Sequence, residues 1–280
     1  MQTINPKLSP VPIAIAPNGG RRTKADHPAL PVTPAELART AAECLEAGAA
    51  MIHVHVRDQE QQHLLDADAY RKAIDAIRAE VGQRMVIQIT SESLGQYGPE
   101  EQMAVVRAVR PEAVSLALRE ILPSPSGETA FAEFLQWLKE ERVVPQFILY
   151  SPEEATKLDD LRKRGVVPFD EPPVLYVLGR YTNTQTSLPA DLLPFLAEAQ
   201  PTFQRFMVCA FGRFEASCTV AAGLFGGGLR VGFENNLFLP DGSTASSNAD
   251  LVATAASALN TLGIAPMSGN ELRQDWELIL

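Results

Sequence analysis

The chain has 280 residues, 46% of them apolar and 21% charged, and carries a net charge of −10. Such proportions suit a soluble globular protein with one large α/β domain or two small ones. The acidic balance, with no basic stripe to offset it, excludes general nucleic-acid binding, and the absence of an apolar run of about eighteen residues excludes a membrane span.

The opening MQTINPKLSPVPIAIAP lacks the basic-then-apolar layout of a secretory signal. Its first strand candidate is PIAIAP (12–17). A helix follows, opened by the capping box Thr33-Pro34-Ala35-Glu36 and closed by Gly48. Next come a strand at AMIHVHV (50–56), a helix near 66–80 and a strand at MVIQIT (85–90). Gly98-Pro99 opens the next helix, ahead of the strand AVSLAL (113–118). A helix over 128–141 leads to VPQFILY (144–150), and Ser151-Pro152-Glu153-Glu154 repeats the capping device for a helix ending at Gly165. The strand VLYVLG (174–179), a helix over 189–199, the strand RFMVCAF (205–211) and a helix over 214–223 follow. Gly226-Gly227-Gly228 reads as a helix-to-strand loop before LRVGFE (229–234), and Asn248 caps a final helix that stops at Gly263.

Eight Val/Ile-rich strands alternating with eight helices predict an α/β fold of the (β/α)8 TIM barrel type, as one domain over residues 1–280 with a short C-terminal helical tail. An open doubly wound sheet is the competitor, and it would normally show a G-x-G-x-x-G or Walker A turn, which this chain lacks. The tail MSGNELRQDWELIL has an apolar face with Trp276 and Leu280, suited either to a neighbouring subunit or to its own barrel. Cys44, Cys209 and Cys218 are odd in number and without metal spacing, as expected of reduced core residues in a cytoplasmic protein.

The chemistry starts at His53 and His55. Two places apart on a strand, they share a face, while Ile52, Val54 and Val56 point the other way. One reading is a pair of core histidines bonded to backbone carbonyls. The other is a shared metal ion, which satisfies both rings at once, at the strand end where barrel enzymes keep their chemistry. In a closed barrel, strand 8 is separated from strand 2 only by strand 1. Strand 8 ends in Glu234, so two imidazoles and a carboxylate can form a catalytic-type zinc set. Taken alone, Glu234 would be an ordinary strand-end acid.

Nearly the whole chain resembles the β-keto acid cleavage enzyme family, of the 3-keto-5-aminohexanoate cleavage type. The motifs that carry the likeness are LPVTPAEL, GAAMIHVHVRD, RPEAVSLAL and GGLRVGFENN followed by SNADLV. The resemblance implies a Zn2+-dependent barrel, with another divalent metal as the alternative, that reacts a β-keto acid with acetyl-CoA to give acetoacetate and a new acyl-CoA. It implies His53, His55 and Glu234 as metal ligands, and Arg230 as one half of a proton-handling dyad. The family's Asp in that dyad is Asn235 here, which cannot accept a proton, so Glu92 is a substitute candidate beside water-mediated action of Arg230 or a different reaction.

Three departures concern the substrate. Arg21 stands where the family type has an acid after strand 1, Thr90-Ser91-Glu92-Ser93 replaces a Gly-containing turn, and Gln146-Phe147-Ile148 replaces an acidic stretch of strand 5. A cationic tail has lost its partners, so the expected substrate has a neutral or anionic distal end. Thr90, Ser91 and Ser115 are candidates for its carboxylate, with strand-end capping slightly favoured for Ser91. Arg213 and Arg180 are candidates for the phosphates of CoA, Arg213 following the family pattern better. Partners are expected to be small-molecule substrates and further copies of the chain, as a dimer or tetramer, with neither nucleic acid nor membrane involved. Rival readings are a metal-dependent aldolase or acyl-CoA lyase, and a non-catalytic barrel binding a metal or keto acid. An amidohydrolase-type site fits poorly, because only His27 and His63 remain, in segments read as loops or helix edges.

Overall fold

In a computed structural model of the chain, which describes residues 8–277, eight parallel strands close into a barrel in which sequential strands are neighbours and the last pairs with the first. They are β1 (Ile13–Ile15), β2 (Met51–Val54), β3 (Val86–Thr90), β4 (Ala113–Ala117), β5 (Val144–Leu149), β6 (Val174–Leu178), β7 (Phe206–Ala210) and β8 (Gly228–Val231). The expected TIM barrel is thus the observed fold, with each strand candidate in place. Ala14 of β1 pairs with Met51 on one side and Arg230 on the other, which brings β2 and β8 to either flank of a single short strand.

Strand alternation separates two cores. Ile52, Val54, Ile87 and Ile89 face outward against the helices, whereas Ala14, Met51, Val144, Leu175 and Met207 fill the barrel interior. Both faces of each strand are therefore dry, which is why the strands read as nearly continuous apolar runs. The interior is stoppered at its N-terminal end by Leu272 and Trp276, on the helix Gly269–Glu277, beside Pro12, Met207 and Gly228. Of the two packing partners open to the tail, Trp276 uses its own barrel; Leu280 lies outside the described residues.

Several helix ends differ from expectation. Thr33 and Glu36 form their reciprocal capping box. Ser151 starts its helix without a side-chain cap, because Glu154 is engaged by the Tyr150 N–H and by Arg119. Ser247, not Asn248, caps the helix Asn248–Thr261. Asn248 instead accepts from the Phe233 N–H and donates to the Pro17 carbonyl, tying the loops after β1 and β8 together. The segment expected as a helix over 189–199 is a 3-10 run, Pro189–Leu196, since Pro194 removes a donor an α-helix needs. The strand expected over 50–56 stops at Val54, and Val56–Arg57 turns away into a small antiparallel ladder with His63–Leu64. Among the described residues no helix is long and apolar enough to cross a membrane.

Candidate active site

The C-terminal mouth of the barrel holds a cavity lined by groups from β2, β3 and the turn after β8 on one side and from β4 to β7 on the other. His53 points inward from β2, and His55 follows just past the strand's end, its carbonyl anchored by the Asn18 amide. Glu234 is carried on a turn that leaves β8 at Gly232, whose φ of 136° and close approach to the Ala16 carbonyl no side chain would tolerate. Gly19 completes the fit, since a Cβ there would come within 2.6 Å of the Glu234 Cγ.

These elements bring three ligand atoms to one point. His53 Nε2 and His55 Nε2 are 3.1 Å apart, and Glu234 Oε2 lies 3.7 and 3.4 Å from them. Tetrahedral zinc with bonds of about 2.0–2.1 Å spaces its ligands by roughly 3.3–3.4 Å. The buried Glu234 Oε2 has no hydrogen-bond partner among the described residues, a state that a cation bound between the three atoms would satisfy. His53, His55 and Glu234 together are the residues suited to hold a divalent ion.

The surroundings set the protonation states that such ligation needs. His53 Nδ1 donates to Gln88 Oε1 at 2.8 Å, which leaves the Nε2 lone pair free; Gln88 Nε2 donates in turn to Gln146 Oε1 at 3.1 Å. Burial, reinforced by the Arg230 cation, holds the His53 pKa well below the ordinary imidazole range, so the ring is neutral. Burial alone would raise the Glu234 carboxyl, but the Arg230 cation beside it outweighs burial and keeps that carboxyl well below its usual range. Arg230 donates through Nη2 to Glu234 Oε1 at 2.5 Å, while its buried Nε and Nη1 have no partner among the described residues.

The other candidates divide sharply. Glu92, Thr90, Ser115, Arg21 and Arg180 all line the same cavity as the triad and Arg230, with Arg21 exposed at its rim. Ser91 does not reach it: its hydroxyl donates to the Ser115 carbonyl and ties β3 to β4. Gln146 lies below the cavity as the buried partner of Gln88, a positioning role rather than the expected substrate contact. Arg213 is exposed outside the cavity, stacked 4.7 Å from the Phe214 ring, so of the two arginines considered for CoA only Arg180 lines the cavity. Asn235 is fully buried outside the lining, its side chain turned toward the Glu215 carboxyl.

Two groups escaped the sequence reading. His63, read as a helix-edge residue, is brought by the small ladder to 5.6 Å from the His55 ring, with Nε2 bonded to the Glu92 carbonyl at 2.7 Å. Burial lowers its pKa to about 4. Glu215, which falls within the helix expected over 214–223, is buried behind the Glu234 turn, accepting from the Gly232 N–H at 3.0 Å and the Asn236 amide at 3.3 Å. Burial pushes its carboxyl up to about 8, against the pull of those bonds. No local pattern marks either residue; a carboxylate on the apolar face of a short helix is the one hint Glu215 offers.

The chain has counterparts among known proteins. Residues 10–278 match the family model described as beta-keto acid cleavage enzyme. The chain is 29% identical, over 91% of its length and 93% of the relative's, to a 3-keto-5-aminohexanoate cleavage enzyme of Fusobacterium nucleatum. It is 27% identical, over 95% of each chain, to a 3-dehydrocarnitine:acetyl-CoA trimethylamine transferase of Rhizobium meliloti. Among solved structures, ObcA in a ternary complex with a C4-CoA adduct and oxalate superposes with a TM-score of 0.71 at 16% identity, over 89% of this chain and 68% of that one. At that identity the likeness is one of fold.

Proposed function

We propose, from the premise that the chain belongs to the beta-keto acid cleavage enzyme family, that it exchanges acyl groups between a β-keto acid and acetyl-CoA. In this reaction R–CO–CH2–COO− and acetyl-CoA give R–CO–CoA and acetoacetate. The substrate's CH2–COO− fragment leaves with the acetyl group, and CoA passes to the R–CO carbon. The observation that carries the reading is the convergence of His53 Nε2, His55 Nε2 and Glu234 Oε2 beside a buried arginine with two free donors. The Rhizobium meliloti relative is by name a transferase that uses acetyl-CoA, and the distal end of the β-keto acid is read here as neutral or anionic.

A divalent ion held by His53, His55 and Glu234, zinc being the natural choice for that donor set, supplies a Lewis acid for the substrate's keto group. Arg230 is assigned the substrate carboxylate, and the Thr90 and Ser115 hydroxyls, 3.5 Å apart, line the cavity where β3 meets β4. Glu92 is the cavity-lining carboxylate not committed to the ligand set, and we assign it the proton removed from the substrate's C2. Asn235 is the wrong group in the wrong place for that task, being an amide and buried away from the cavity. Arg180, beyond β6, faces incoming CoA phosphates.

The test is a panel of β-keto acids incubated with acetyl-CoA, with acetoacetate and each new acyl-CoA read by mass spectrometry. Matched formation of both products supports the reading. Release of acetoacetate or a free acid without any new acyl-CoA sinks it.

A further inference from the structure

The ligand triad stands at β2 and β8, on either side of β1, so the strand directly across the ring is β5. What faces the triad there is mainly apolar, with the Ser115 hydroxyl of β4 and the Tyr150 phenol just past β5 as the polar exceptions. Ala117 of β4, Ile148 of β5, Val177 of β6, Cys209 of β7 and Phe211 just past it line the far wall of the cavity, all buried.

Charges do occur near this wall, and each has another engagement. Arg119 is paired with Glu154 at 2.6 Å, and Glu120 accepts from the Ser93 N–H at 2.8 Å. Arg180 also lines the cavity, over the Phe211 ring at 5.0 Å, and is the residue assigned above to the phosphates of CoA.

We infer that the distal group of the β-keto acid is uncharged and apolar, a short alkyl chain seated against Ala117, Ile148 and Val177. The inference rests on the acyl-exchange reading above and narrows it. With its keto and carboxylate ends held at the triad and Arg230, the substrate projects its remaining carbons across the ring onto β5. A carboxylate or ammonium placed against Ala117, Ile148 and Val177 loses its water and gains no ion-pair partner from them, a cost that a methyl or propyl group does not incur. Apolar pockets discriminate single methylenes by roughly 10–200-fold.

The experiment compares kcat/KM for 3-oxohexanoate, 3-oxoadipate and 5-amino-3-oxohexanoate under saturating acetyl-CoA. The expected result is a preference of at least about ten-fold for 3-oxohexanoate over either charged compound. Ile148→Asp is expected to lower exchange with 3-oxohexanoate and to reverse its order against the amino compound. Should that variant fail to fold, the wild-type comparison decides alone. Exchange that favours a charged substrate overturns this assignment while leaving the reaction intact. Exchange with none of the three, nor with longer alkyl homologues, overturns the acyl-exchange reading and this assignment together.

Discussion

Arg230 Nη2 donates to Glu234 Oε1 over 2.5 Å, and that contact turns the other carboxylate oxygen, Oε2, toward both imidazoles. The guanidinium therefore aims a ligand, and its buried Nε and Nη1 have no hydrogen-bond partner among the described residues. Arg230→Met is expected to reduce acyl exchange by at least about a hundred-fold, the scale of losing a preorganised donor. It should also weaken metal retention, read by elemental analysis of the purified variant. Arg230→Lys keeps the charge but not the fork, and should recover metal retention better than turnover. Turnover near wild-type in the Met variant would remove Arg230 from the mechanism.

Gln88 is the outer partner of His53, and it is held in turn by Gln146. Replacing Gln88 with Leu leaves the Nδ1–H buried and unpaired. Partners of this kind typically contribute 10–100-fold to metal affinity. A competition titration against a coloured chelator should show a loss of about that size. An unchanged affinity would mean that His53 is oriented by packing alone.

Glu215 has a folded-state pKa of about 8, raised by burial, against an ordinary value of 4.5. The folded protein thus holds one more proton than the unfolded chain between those limits, so this group's contribution to stability declines as pH rises from about 4.5 through 8. Glu215→Gln abolishes the titration while keeping an acceptor for the Gly232 N–H. Thermal melts across pH 5–9 should show the wild type losing stability relative to the variant as pH rises. Parallel curves would refute the raised value.

Binding of an ion to the triad should stabilise the folded state by mass action, by about 4 kcal/mol when free metal exceeds Kd a thousand-fold. Chelation is expected to lower the melting temperature and abolish exchange, with zinc restoring both. His53→Ala and Glu234→Gln should be insensitive to added zinc. A chelated wild type that melts unchanged would speak against a resident ion.

Trp276 seals the N-terminal end of the barrel interior from the last described helix. Trp276→Ala opens a cavity where large-to-small changes cost about 3–5 kcal/mol. Chemical denaturation should report that loss, with metal content per folded protein unchanged because the triad lies at the opposite end.

The amino-acid sequence alone determined the barrel, because eight apolar runs separated by capped helices leave few other ways to bury both faces of each strand. It also determined that His53 and His55 share an inward face, since that follows from a two-residue period and needs no partner strand. The arrival of Glu234 beside them required the ring to close, a long-range contact that strand order could anticipate but only pairing through Ala14 accomplishes. Tertiary structure decided the rest. Gln146 faces inward as expected but lies one layer too deep, Ser91 spends its hydroxyl on β4, Arg213 leaves the cavity to Arg180, and Asn235 is buried behind the turn. Periodicity specifies which face a side chain takes. How deep it sits along the barrel axis, and which neighbour it meets there, depend on strand register and loop geometry, and those arise from contacts far apart in the chain.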